Sequence, residues 1–239
     1  MSVFASKESD KNETKRNTGS LRKEVDALLR ADNFGQRLAE WDRFSPRKVI
    51  NPLFSYLCST DEPLKWRAVT AMGVVMARMA DEDMEPARDI MRRLIWNLND
   101  ESGGIGWGCP EAMGEIMASH ERLAREFYCI LVSYIHEEGN RLGHGLLERG
   151  VLWGLGRLAQ VRAPLLLDCA SCILPYLQSA DSFHRGLAVW ALGILKFGEL
   201  RGSLASLLDD RAQVSIYENG ELSTYRVCDL AARVLDALA

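Results

Sequence analysis

The sequence predicts an all-α protein, a solenoid of about five stacked helical pairs with a small β-hairpin in the last unit. Three observations lead there. Gly73, Gly114, Gly156 and Gly193 close the similar stretches AVTAMG, CPEAMG, VLWGLG and AVWALG at spacings of 41, 42 and 37 residues, and self-similarity at a period near ~40 marks a helical-repeat array. Small residues recur around that anchor: Ala71, Ala112, Gly154 and Ala191 stand two positions before it, and Ala68, Cys109, Val151 and Ala188 five before. Val75, Ile116, Leu158 and Leu195 stand two after. At about 100° per residue these columns fall within about 60° of one another, which makes them the buried face of a helix. Extending the register to Arg233 puts Cys228, Ala231 and Leu235 in the same columns, so a glycine-free fifth copy closes the array.

Residues 1–19 are polar and lack the apolar stretch of a secretory signal, so they read as a disordered tail ahead of one folded domain over residues 20–239. Ser20 is the expected N-cap of LRKEVDALLRAD. Ser45 and Pro46 then open the first repeat as N-cap and first-turn proline. The first helices of the pairs are expected at Ser45–Cys58, Glu85–Leu98, His120–Glu138, Ala163–Leu177 and Leu200–Leu208. The second helices are expected at Glu62–Ala80, Trp107–Ala118, Leu146–Gln160, Ser182–Lys196 and Arg226–Leu238. In VSIYENGELSTY, β-branched and aromatic residues flank Asn219-Gly220, the signal of a tight hairpin.

Composition narrows the function classes. The 239 residues are 47% hydrophobic and 26% charged, with a net charge of −4, so no global basic field invites DNA or RNA. No apolar run approaches the roughly 18 residues that span a bilayer, which leaves no membrane partner and a cytoplasmic location as the expectation. The six cysteines sit among apolar neighbours. They read as thiols in a reducing compartment, most of them small core residues. Cys169 and Cys172 form a C-x-x-C inside PLLLDCASCILPYL without the second pair or histidines of a zinc site. No metal and no cofactor is called for.

NPLFSYLCSTDEPLKWRAVTAMGVVMARMAD, echoed by LPYLQSADSFHRGLAVWALGIL, resembles the HEAT-repeat superfamily, specifically its phycobilisome-lyase HEAT-like repeats. The shared pattern is a proline-leucine helix, an acidic turn, then Arg, Ala and Ala-aliphatic-Gly. The resemblance covers roughly Ser45 to Ala239 and is loosest in the second and third units. There ESGGIGWGCPEAMGE and GNRLGHGLLERGVLWGLG put glycines in place of the acidic turn and arginine. It implies an α-solenoid whose second helices line a concave surface that holds a partner. It does not imply lyase chemistry, and it assigns no catalytic residue.

Seven before, three before and one after each anchor is the side away from the small-residue columns. It carries Trp66, Thr70 and Val74, then Trp107, Glu111 and Glu115, then Arg149, Trp153 and Arg157, then Gly186, Trp190 and Ile194. Tryptophan and arginine are favoured in binding hot spots, so the ridge is a candidate face for a protein or peptide. Two accounts stay open: an exposed binding face, or tryptophans covering neighbouring helices. The charges equally fit inter-repeat pairs between Glu111 or Glu115 and Arg149 or Arg157.

The irregular stretch DESGGIGWG holds Gly103, Gly104, Gly106 and Gly108 ahead of a helix. It is either a connector or a main-chain anion cradle. It lacks the Lys-Ser/Thr ending of a P-loop. His120 reads as part of a helix start and His136 as lying near a helix end, while His144 and His184 either flank one groove or are solvated. The leading expectation is a non-enzymatic scaffold. The alternative is an enzyme or chaperone handling a tetrapyrrole such as bilin or haem, and a third reading is self-association through the open ends of the array.

Overall fold

A computed structural model describes residues 19–99, 106–198 and 200–238. Most of the expected tail, Gly103 and Gly104 lie outside the described residues. The chain enters on α1 (residues 19–29), in which Gly19 and Ser20 are already helical. A 3-10 segment follows at Phe34–Arg43. Four further pairings then build the array: α2 (Pro46–Leu57) with α3 (Glu62–Glu82), α4 (Met84–Leu98) with α5 (Cys109–Ser119), α6 (Glu121–Ser133) with α7 (Gly145–Arg162), and a run of 3-10 turns with α8 (Ser182–Leu195). The last unit is α9 (Leu200–Ala205), β1 (Gln213–Glu218), β2 (Glu221–Arg226) and α10 (Val227–Ala237).

The second members α3, α5, α7, α8 and α10 pack one on the next as an inner layer. The repeating glycines are where they touch. A β-carbon on Gly73 would meet the Glu115 side chain at 2.8 Å. On Gly114, Gly156 and Gly193 it would overlap Gly154, the Trp190 ring and Val234. Each glycine therefore faces the following inner helix and sets how closely the two can approach.

Local chemistry starts the helices where the sequence does. Asp61, Asp83 and Asp181 accept from the backbone N–H of Leu64, Glu85 and Phe183 at 3.2, 3.3 and 2.8 Å. His120 caps α6 through Nδ1, which accepts from Leu123 N at 3.3 Å. Arginines close the other ends: Arg67 donates to Leu29 O at 2.8 Å, and Arg162 to Met117 O and Ala118 O at 3.1 and 3.3 Å. Asn219 at φ 52° and Gly220 at φ 86° form the two-residue turn of the hairpin, with Glu218 opposite Glu221.

Besides Ser20, which lies inside α1 rather than capping it, and outer helices that end early at Ser133 and Ala205, two larger expectations change. Residues 163–177 do not form a first helix; they run as 3-10 turns Ala163–Leu165, Leu167–Cys172 and Leu174–Gln178. Pro175 supplies no N–H to a helical ladder and crowds the preceding turn. The N–H groups of Leu166, Cys169, Ile173 and Tyr176 reach back only three residues. The cysteines also differ from expectation, because of the six only Cys109 is buried, while Cys58 and Cys129 are exposed and Cys169, Cys172 and Cys228 half-buried. Cys129, Cys169 and Cys172 lie on the outer elements, which cover the inner layer from one side only. Among the described residues no helix is long and apolar enough to cross a membrane.

Candidate binding groove

The face opposite the small-residue columns is partly filled by the chain itself. Strand β1 crosses the inner helices and lays Tyr217 on Trp66, the rings 5.0 Å apart and 10° from parallel. Trp153 is tilted against both, 4.6 Å from Trp66 and 6.3 Å from Tyr217. The Trp153 indole N–H donates to the Tyr217 carbonyl at 2.9 Å, and that of Trp190 donates to Glu218 Oε1 at 2.8 Å. Gln160 donates to the same oxygen at 3.1 Å, and the Thr70 and Tyr217 hydroxyls lie 3.1 Å apart. Val214 seats on Gly186, where a β-carbon would come within 2.5 Å of it. Trp66, Trp153 and Trp190 are therefore buried, whereas Trp107 remains 42% exposed.

The other half of the face is open. A cavity of about 220 Å³ lies between the N-terminal halves of α3, α5, α7 and α8. Trp66, Trp107, Trp153 and Phe183 line it, and Ser215 and Leu222 of the hairpin border one side. Leu146, 53% exposed, also lines it. Within it Glu111 is 5% exposed and accepts from Lys65 Nζ at 2.6 Å through Oε1. Its Oε2 is buried against Gly150 without a hydrogen-bond partner among the described residues. Burial works against the charge on Lys65, but the adjoining Glu111 carboxylate outweighs it and holds the ammonium pKa above its ordinary value.

The remaining charges pair off. Glu115 accepts from Arg157 Nε and Nη2 at 2.7 and 3.2 Å, bridging α5 to α7. Arg149 instead joins Asp181 at 2.6 Å and lies 4.4 Å from the Phe183 ring centroid. Burial pushes the Asp181 pKa up, yet Arg149 and the Phe183 N–H together bring it below its ordinary value.

The structure brings Trp66, Trp107, Glu111, Arg149 and Trp153 to the open cavity, while Thr70, Glu115 and Arg157 border the tip of the hairpin. Trp190 lies under the hairpin. Gly106 sits in the turn before α5 and Gly108 is its N-cap, at φ 76°, where a β-carbon would meet the Leu57 carbonyl at 2.5 Å. His144 is exposed at the start of α7. His184 is buried and joined to Ser179 Oγ and Gly145 O at 3.1 and 3.0 Å, lining a separate cavity of about 540 Å³ whose walls do not include His144. Among the described residues no group of three or more His, Cys, Asp or Glu is placed to hold a metal.

Sequence reasoning missed Tyr217, Glu218 and Lys65. A signal for the strand was present: Gly186 breaks a column that otherwise holds Trp66, Trp107 and Arg149, and a missing side chain there leaves room for another segment.

No protein-family model matches the chain. An uncharacterized protein of Archaeoglobus fulgidus is 24% identical over 196 residues, covering 82% of this chain and 98% of that one. Among solved structures, the designed armadillo repeat protein YIII(Dq.V1)4CPAF in complex with peptide (KR)4 is similar at a TM-score of 0.51 and 15% identity, covering 92% of this chain and 99% of that one. Computationally designed armadillo repeat proteins for modular peptide recognition are similar at 0.51 and 16%, covering 94% of each chain. The fold is a helical-repeat solenoid. At these identities the likeness is one of fold.

Proposed function

We propose that the protein is a non-enzymatic interaction scaffold that holds a segment of a protein or peptide on the face of its inner helices, in the half that the hairpin leaves open. The observation that carries this reading is the cavity walled by Trp66, Trp107 and Trp153, with exposed Trp107 and Leu146 beside it. Aromatic anchors bordered by charge pairs are the composition of a binding hot spot. One structurally similar designed protein is a complex with a peptide, which agrees with the reading without specifying a ligand for this chain.

We further assign the repeats to the phycobilisome-lyase HEAT-like type, on the residue pattern of the first and fourth units, and place the protein in the cytoplasm. Tetrapyrrole chemistry is the weaker reading. At about 220 Å³ the groove cavity falls below the ~300–1,000 Å³ of sites for whole small ligands, and the separate cavity of about 540 Å³ has no tryptophan among its lining residues. Burial also pushes the thiols of Cys58, Cys169 and Cys172 up, and that of Cys109 up to about 12, away from thiolate at neutral pH.

Quantitative affinity capture from native cell extract, with wild type beside Trp107→Ala and Leu146→Glu, tests the proposal. Both positions are exposed, so the variants should fold. Partners recovered by wild type should be depleted at least tenfold with each variant. Equal recovery by all three would remove the cavity from the account.

A further inference from the structure

We propose that the open cavity takes an aromatic side chain from an extended partner segment, whose main-chain carbonyls accept from the indole N–H groups of Trp66 and Trp107. This rests on the scaffold reading and names the chemistry of the partner.

The groove already holds an extended segment in this way. Along β1 an aromatic ring lies on Trp66, one indole N–H binds the main-chain carbonyl of that same residue, and the next indole binds the following side chain. The hairpin is a fixed wall of the groove, since Val214 and Ile216 are 1% and 0% exposed and Val214 is keyed into Gly186. Of the four indoles on this face, those of Trp153 and Trp190 are engaged by the strand. Those of Trp66 and Trp107 have no hydrogen-bond partner among the described residues, and both residues line the cavity. The cavity is thus continuous with an interface of known chemistry, and two donors of the same kind remain for an incoming chain.

Charge and size narrow the occupant. The cations lining the cavity, Lys65 and Arg149, are matched by Glu111 and Asp181, so a neutral side chain enters without disturbing either pair, while Glu62 at the rim is an exposed carboxylate with no ion pair among the described residues. Trp66, Trp107, Trp153 and Phe183 line the cavity with aromatic surface, against which a neutral ring packs well. A space of about 220 Å³ suits one side chain rather than a whole cofactor.

The test is to pan a phage-displayed random linear peptide library over the full chain, then to measure binding of the selected peptides as synthetic peptides. The selected peptides should share a Phe, Tyr or Trp. Changing that residue to Ala, or the protein to Trp107→Ala or Leu146→Glu, should each weaken binding tenfold or more. Trp107→Phe keeps a ring but loses the N–H, so it should weaken binding roughly two- to tenfold, the range of one hydrogen bond. Selected peptides that are proline-rich or Lys/Arg-rich without an aromatic, yet lose binding in both cavity variants, would overturn the aromatic occupant and leave the scaffold reading standing. Binding indifferent to both cavity variants would overturn the site. Failure to enrich any peptide over an empty support would overturn the inference and the scaffold reading together.

Discussion

Gly114 faces Gly154 across the α5–α7 contact with no room for a methyl group, because the atom a β-carbon would strike is backbone and cannot turn aside. Gly114→Ala should therefore lower stability in urea by about 2 kcal/mol, the overpacking outweighing alanine's helix preference. Gly202→Ala in α9 meets nothing within 4 Å and should instead add about 0.5–1 kcal/mol. Asp181 carries a prediction in pH. Its carboxyl pKa is lowered in the folded state by Arg149 and the Phe183 N–H against the opposing effect of burial. That stabilisation is complete above the unfolded aspartate pKa near ~3.9 and is lost as pH falls through the lower folded value. Asp181→Asn keeps an N-cap but not the charge. Wild type should exceed it in urea midpoint at pH 7, and the difference should begin to shrink near about pH 4 and close once the pH is below the lowered folded value.

At the scale of the element, the hairpin determines how much of the inner face is free. Tyr217 is 7% exposed and joins Trp66, Trp153 and Thr70 in one cluster. Tyr217→Ala should cost about 3–5 kcal/mol, as large aromatic truncations do, and red-shift the tryptophan emission as water reaches Trp66 and Trp153. The hairpin itself was legible from Asn219-Gly220 between alternating strands, because turn chemistry is local. Beyond the gap at Gly186 its docking was not, since the Trp66–Tyr217 contact joins the first repeat to the last unit. The inner helices were equally legible: α3, α5, α7 and α8 fall close to the residues expected from the glycine register. The fourth outer helix was misread because LLLDCASCILPYL has a helical apolar pattern, whereas the backbone there closes on three-residue hydrogen bonds that periodicity does not distinguish from an α-helix.

For the whole molecule, the glycine period specifies an inner layer with close contacts at Gly73, Gly114, Gly156 and Gly193, and the last unit folds back over that layer. The ridge of tryptophans on the opposite face is legible as a pattern but not as a surface. A column records which side of a helix a residue occupies, and only the assembled array decides whether that side meets water, a strand or an ion pair. Glu111 illustrates the difference: the pattern offered it Arg149 or Arg157, and the fold pairs it with Lys65 from the first repeat.

The central claim is that the chain's own strand covers Trp66, Trp153 and Trp190 and leaves Trp107 open. Acrylamide quenching of tryptophan fluorescence tests it directly. Trp96 and Trp107, at 63% and 42% exposure, should supply nearly all the quenchable emission, while Trp41, Trp66, Trp153 and Trp190 are buried. In a Trp96→Phe, Trp107→Phe variant the residual emission should be blue-shifted and weakly quenched. Residual emission that stays red-shifted and quenches as strongly as wild type would contradict the account.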